Sequence, residues 1–292
     1  ANTNAIKAEA NIIAGATKAI VFSISDTSAN VATTNSAALN EAVNITIQGT
    51  ALVSEAVVVD NASNTGPNTY SITDSAANLA ASSNSVLTKA VAVIANTQAT
   101  ASEATIIGGY TKAVTFSVTD SAAQIAAANT DALSEAYDIT VNDTATVAQA
   151  EFIEARTNDG TNTYTITDSA ANLAGSSNAV LTKASTVSAN TNATMAEANT
   201  IGGFTKAVTY NISDTAALIH GGNATGRNEA VDISATTAAT ITQATTIEGA
   251  SNSGNFSFNI EDTAAAISGS TNVFLSKTGI GTVTVQGIAT KD

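Results

Sequence analysis

A stacked-repeat fold, either a β-solenoid or an α/β solenoid, is predicted by three features of this sequence. A nine-residue motif opening on Asp recurs six times, an alternating aromatic-x-aliphatic segment precedes each copy, and an Ala-rich segment follows it. Units too small to bury an apolar face alone must stack on their neighbours.

The motif reads DTSANVATT from Asp26, DSAANLAAS from Asp74, DSAAQIAAA from Asp120, DSAANLAGS from Asp168, DTAALIHGG from Asp214 and DTAAAISGS from Asp262. Its spacings of 48, 46, 48, 46 and 48 residues alternate, so the true period is 94. The expected organisation is three double repeats, 1–94, 95–188 and 189–282, and a tail strand, 283–292.

Each repeat opens on a short apolar segment (EANII from Glu9, EAVVV from Glu55, EATII from Glu103), which fits a helical turn or a short strand. A turn follows, shorter in odd repeats (GATKA, GYTKA, GFTKA) than in even ones (SNTGPNT, TNDGTNT, SNSGN). Next comes a strand, FSIS from Phe22, YSIT from Tyr70, FSVT from Phe116, YTIT from Tyr164, YNIS from Tyr210 and FNIE from Phe258. Period-two alternation puts the aromatic and the Ile or Val on one face, so stacking aligns them into inner ladders. The motif Asp is then expected to N-cap a short helix carrying Val31, Leu79, Ile125, Leu173, Ile219 or Ile267. Leu39, Leu87, Leu133, Leu181 and Leu275 anchor a second turn, with Arg227 replacing Leu in the fifth repeat. A second strand, clearest as VNITI from Val43 and YDITV from Tyr137, closes the unit.

The expected arrangement is right-handed, with six stacked coils, parallel strands and short Ala-rich helices. If both strands of a repeat join one sheet, successive repeats are about 9.6 Å apart, which suits helices packing at about 8–10 Å. Fifteen residues after each Asp stand Glu41, Lys89, Glu135, Lys183, Glu229 and Lys277, so in-register stacking would set each Glu beside a Lys. Duplication of a 94-residue ancestor produces the same alternation.

Composition narrows the function. Ten Lys+Arg against 24 Asp+Glu give a formal charge of −14, which argues against nucleic acid or an anionic membrane as partner. With no Cys and one His, His220, read as a loop residue, thiolate and imidazole catalysis and a zinc site lack their ligands. No paired carboxylates, triad or phosphate loop stands out, so neither an enzyme nor a small-molecule substrate is expected. No apolar run of about 18 residues occurs, so no membrane insertion is expected. The six aspartates could line a file of calcium ions. The companion position four residues on (Asn30, Asn78, Gln124, Asn172, Leu218, Ala266) loses its oxygen in two repeats, which favours capping. The outward Ser and Thr of the first strands form a row resembling an ice-binding face, broken at Asn211 and Asn259.

The D-T-A-A-N-type motif after an aromatic-x-Ile strand, with a T-x-T-x-x-E/Q-A segment such as TATVAQA from Thr144, resembles tandem repeats of large secreted bacterial surface proteins, including S-layer-like proteins and giant adhesins. That resemblance implies an exported, non-enzymatic, structural role. The GGxGxDxUx nonapeptide of calcium-binding repeats is absent, so no calcium ligands carry over. No polar cap is evident at either end, so self-association is expected. The two readings are an extracellular subunit stacking head to tail into a filament or surface layer, and a stalk segment of a giant adhesin.

Overall fold

The computed structural model of the chain describes residues 3–287. These contain eighteen helices and thirteen strands, with parallel strands in several sheets and no closed barrel. The chain divides into two compact units, Ala1–Asn142 with Ala155–Asn162, and Asp143–Glu154 with Thr163–Asp292.

In the first unit the order is α1 (Lys7–Ile13), β1 (Ile24–Thr27), α2 (Ser28–Ala32), α3 (Ser36–Glu41), β2 (Ile45–Ala51), α4 (Val53–Asp60), β3 (Asn68–Asp74), α5 (Ala76–Ala80), α6 (Asn84–Lys89), β4 (Val93–Ala95), α7 (Ala101–Ile107), β5 (Val118–Asp120), α8 (Ala122–Ala127), α9 (Thr130–Glu135) and β6 (Ile139–Val141). Strands β1 to β4 pair in sequence order as one parallel sheet, with Ile24 opposite Ile45 and Ile72 opposite Val93. Single bridges, Ile94 to Thr115 and Ala99 to Val118, carry the ladder towards β5. Helices stack on one another as well, α2 on α4, α4 on α6 and α5 on α7.

A two-residue strand, β7 (Asn162–Thr163), precedes the bulk of the second unit, which also holds α10 (Val147–Glu154). There follow β8 (Ile166–Asp168), α11 (Ala170–Gly175), α12 (Asn178–Lys183), β9 (Val187–Ala189), α13 (Met195–Ile201), β10 (Ile212–Asp214), α14 (Ala216–Gly221), α15 (Ala224–Glu229), β11 (Ile233–Ala235), α16 (Ile241–Glu248), β12 (Phe256–Thr263), α17 (Ala264–Gly269), α18 (Asn272–Leu275) and β13 (Ile280–Gln286). Strands β10 to β13 again pair in order and in parallel. Of the expected tail strand, 283–286 lie in β13, and 288–292 fall outside the described residues.

Each repeat therefore contributes two strands to a sheet, as in the favoured one-sheet arrangement, because both of its strands pair in parallel with their sequence neighbours. The cores follow the period-two pattern. Phe22, Tyr70, Phe116, Tyr164, Tyr210 and Phe258 are buried, as are Ile24, Ile72, Val118, Ile166, Ile212 and Ile260 two residues on. Buried phenols need acceptors: Tyr70, Tyr164 and Tyr210 donate to the carbonyls of Val86, Val180 and Gly226 at 3.0, 3.1 and 2.7 Å.

The apolar opening segments are helices, α1, α4, α7, α10, α13 and α16. Capping boxes decide this where strand and helix fitted equally: Thr100 and Glu103, Thr194 and Glu197, and Thr240 and Gln243 each exchange side chain-to-backbone hydrogen bonds.

The two turn lengths satisfy one recurring carbonyl in two ways. In even repeats an Asn amide reaches the start of the preceding second strand, Asn64 to Val43, Asn158 to Tyr137 and Asn252 to Val231, at 3.1, 3.1 and 2.8 Å. In odd repeats a lysine does so, Lys112 to Val91 and Lys206 to Ser185, at 2.8 and 2.9 Å. The shorter Asn side chain needs the backbone close. Gly66, Gly160 and Gly254 donate to the same three carbonyls at 2.8, 2.7 and 2.8 Å. A Cβ on Gly66 would lie 2.2 Å from Asn44 Oδ1.

Candidate functional site

The motif aspartates stand at or just before the ends of strands, where each carboxylate joins two chain segments. One oxygen, Oδ2, accepts the first N–H of the helix in the preceding crossover: Lys7 for Asp26, Val53 for Asp74, Val147 for Asp168, Met195 for Asp214 and Ile241 for Asp262, all at 2.9 Å, and Ala101 for Asp120 at 3.1 Å. The other, Oδ1, accepts the next residue's N–H at 2.7–2.8 Å. The expectation that Asp caps its own following helix is thus corrected. That role falls to the next residue, where Ser75, Ser121, Ser169, Thr215 and Thr263 accept from the N–H three positions on. An Asp ending a strand projects sideways to the neighbouring turn, whereas the next residue has the extended backbone of an N-cap.

The companion position also gains a role. Asn30, Asn78 and Asn172 donate side-chain N–H groups to Oδ1 at 2.9, 2.8 and 2.8 Å, so they serve the carboxylates as donors. For Asp26 the Asn30 amide leads, with the Lys7 N–H, in holding the carboxyl below the usual range. For Asp74 and Asp168 burial opposes ionisation most strongly, yet Asn78 or Asn172 and two backbone N–H groups overcome it, so both are lowered. Among the described residues no group of three or more His, Asp or Glu side chains is placed to hold a metal ion. An open groove of about 410 Å³ passes Asp168, lined by Thr146, Val147, Glu151, Asn172 and Ser176, but both Asp168 oxygens are already occupied.

Lys89, Lys183 and Lys277 pair with Asp60, Glu154 and Glu248, at 2.5 Å in the first case, and not with Glu41, Glu135 and Glu229 as the alternation suggested. With two strands per repeat, equivalent positions lie two rungs or about 9.6 Å apart, and the intervening helix ends on a nearer carboxylate. These acceptors are well covered, Glu154 keeping 9% of its side-chain exposure. Arg227 fills its Leu position by donating to the carbonyls of Ile219 and Gly222 at 2.8 and 2.6 Å, closing the end of α14. His220, expected in a loop, ends that same helix with Nδ1 2.8 Å from Thr246 Oγ1.

The outward Ser and Thr row is half-exposed and partly self-satisfied, Thr167 Oγ1 lying 3.0 Å from Ser188 Oγ on the next strand. More distinctive are the first and last turns. Ile20 is 46% exposed, whereas Val114 and Val208 at its equivalent positions are 9% and 7% exposed. Ile267 and Leu275 are half-exposed, although Leu79, Leu87, Leu173 and Leu181 are buried. Residues at these ends are also more apolar than the repeat requires. Ile6 and Val21 replace Thr100 and Thr115, Val273 replaces Ser85, and Phe274 replaces Val86. That substitution pattern is legible on aligning the three double repeats, but motif-by-motif reading passes over it because the changed positions lie outside the motif.

No helix among the described residues is long and apolar enough to cross a membrane. No protein-family model, no curated protein and no solved structure matches the chain.

Proposed function

We propose that this is an extracellular structural repeat protein, a solenoid that stacks head to tail into a filament or surface layer. The observation that carries the reading is the pair of apolar end faces: Ile20 on the first turn, and Phe274, Leu275 and Ile267 on the last, all at positions whose equivalents Val114, Val86, Leu87 and Leu79 are buried within the array. Soluble monomers rarely leave in solvent the apolar side chains that their own repeat buries. Fully burying one such side chain is worth about 1.5–3 kcal/mol, so several together outweigh a surface ion pair at about 0–1 kcal/mol. A like face at each end gives a heterologous contact, which propagates unless it closes into a ring. On this reading, which the motif's resemblance to repeats of S-layer-like proteins and giant adhesins supports, the protein works at the cell surface, its partner is a second copy of itself, and it catalyses nothing.

The second reading, a stalk segment of a giant adhesin, is favoured by the same faces, since within the chain such positions are covered by the next repeat. Negative-stain electron microscopy and light scattering of the purified chain separate them. Filaments with a regular axial repeat are expected for stacking; particles that stay single at high concentration, with and without calcium, would remove it.

A further inference from the structure

Two positions change together from repeat to repeat. Even repeats end their opening helix on an acid, Asp60, Glu154 or Glu248, and carry a lysine 29 residues later, Lys89, Lys183 or Lys277. Odd repeats have neither, with Ala14, Gly108 and Gly202 at the first position and Glu41, Glu135 and Glu229 at the second.

In the first two pairs the carboxyl group is covered while the lysine reaches solvent. Asp60 and Glu154 keep 12% and 9% of their side-chain exposure, Lys89 and Lys183 58% and 61%. Lys89 Nζ touches Asp60 Oδ1 at 2.5 Å, yet that buried oxygen accepts no hydrogen bond; nor does the buried Oε1 of Glu154, whose other oxygen meets Lys183. A buried carboxylate oxygen without a donor is costly, and the cost is smaller for a neutral amide. Burial first, and then the charge of Asp60 or Glu154, pushes the Tyr70 and Tyr164 phenols up, which marks the surroundings as poorly solvated and unfavourable to charge.

We infer that Lys89 with Asp60, and Lys183 with Glu154, are sites of intramolecular amide bonds that form without an added enzyme. The ammonium passes one proton to the carboxylate, and the neutral Nζ then adds to the carboxyl carbon, Cγ of Asp60 or Cδ of Glu154. A C–N bond forms, a C–O bond breaks, and the departing oxygen leaves as one water with that proton and a second from the nitrogen. No oxidant, reductant or co-reactant enters, and net charge is unchanged. Groups held in such contact can react at effective molarities on the order of 10⁵–10⁸ M, and the amide removes a charge from a covered site. Each bond ties the end of α4 to that of α6, or of α10 to that of α12, in a chain with no cysteine for a disulfide. Glu248 keeps 21% of its side-chain exposure and has no buried oxygen lacking a partner, and Phe258 stands where Tyr70 and Tyr164 do, so its pairing with Lys277 stays ionic.

Intact-mass spectrometry of the purified full chain, before and after incubation at mildly alkaline pH where more of the amine is neutral, reads the bonds directly. The expected mass after incubation is two waters below that of the sequence. Lys89→Arg and Lys183→Arg keep a positive charge beside the acid; each is expected to fall short of its own sequence mass by one water, the double variant by none, and Lys277→Arg by two. Proteolysis should yield branched peptides joining Asp60 to Lys89 and Glu154 to Lys183. A full sequence mass under both conditions overturns the inference, and so does a deficit that survives in the double variant, which would mean dehydration elsewhere in the chain.

Discussion

Asp168 illustrates how much one side chain carries. Its two oxygens hold the Val147 N–H of one helix, the Ser169 N–H beside it and the Asn172 amide, at 2.9, 2.7 and 2.8 Å, with 8% of the residue exposed. Asp168→Ala leaves three donors without this acceptor, at about 1–3 kcal/mol for a buried unsatisfied group, and is expected to lower the urea midpoint without changing its slope. The titration sign follows from the lowered values of Asp26, Asp74 and Asp168. Their folded pKa values lie below the unfolded value of about 3.9. The stability they contribute is complete above that value and is lost as pH falls through the folded ones. Tyr70 works in the opposite sense. Burial, then the charge of Asp60, pushes its phenol up to about 12, so its contribution is whole below about pH 10 and is lost above it. Urea midpoints between pH 3 and 11 should show a plateau bounded on both sides.

At the scale of the element, close approach rather than propensity fixes where glycine is required. A Cβ on Gly160 would sit 2.3 Å from both Asp138 Oδ1 and the Tyr137 carbonyl oxygen, so the turn before β8 cannot hold its hydrogen bond to Tyr137 with a larger residue. Gly160→Ala is expected to cost about 1–3 kcal/mol, typical of overpacking. Gly175, the last residue of α11, has open space around its Cβ position. Gly175→Ala is expected to be neutral or to stabilise by up to about 1 kcal/mol through helix propensity. Thermal unfolding of the two variants should move Tm in opposite directions or lower it for Gly160→Ala alone. The helices themselves have four to eight residues, too short to persist in isolation, so their order comes from packing and caps.

For the whole molecule, net charge opposes the proposed stacking. Copies carrying −14 each repel at low ionic strength, while apolar contacts between end faces are not weakened by salt. Association is therefore expected to strengthen as sodium chloride rises from low to physiological concentration. Light scattering across that range checks it, and association that weakens steadily with salt would point to ion pairing instead.

The repeat period, the inner aromatic and aliphatic ladders, both strands and the first helix after each Asp were legible in the sequence, because periodic burial leaves periodic apolar residues, while the second helix was read only as a turn. The pairing of Lys89 with Asp60 rather than Glu41, the reach of Asp168 to a helix 21 residues earlier and the alternation of Asn and Lys on one carbonyl were not. Each depends on which turn lies beside which. Sequence determined by itself what repeats, which face is apolar and that two strands of a repeat suit one sheet; the tertiary structure decided the register of neighbouring turns, and so which polar groups meet. The physical reason is that apolar burial is non-directional and shows in composition, whereas hydrogen bonds and ion pairs need partners within about 3 Å and 4 Å, which only the register of neighbouring turns supplies.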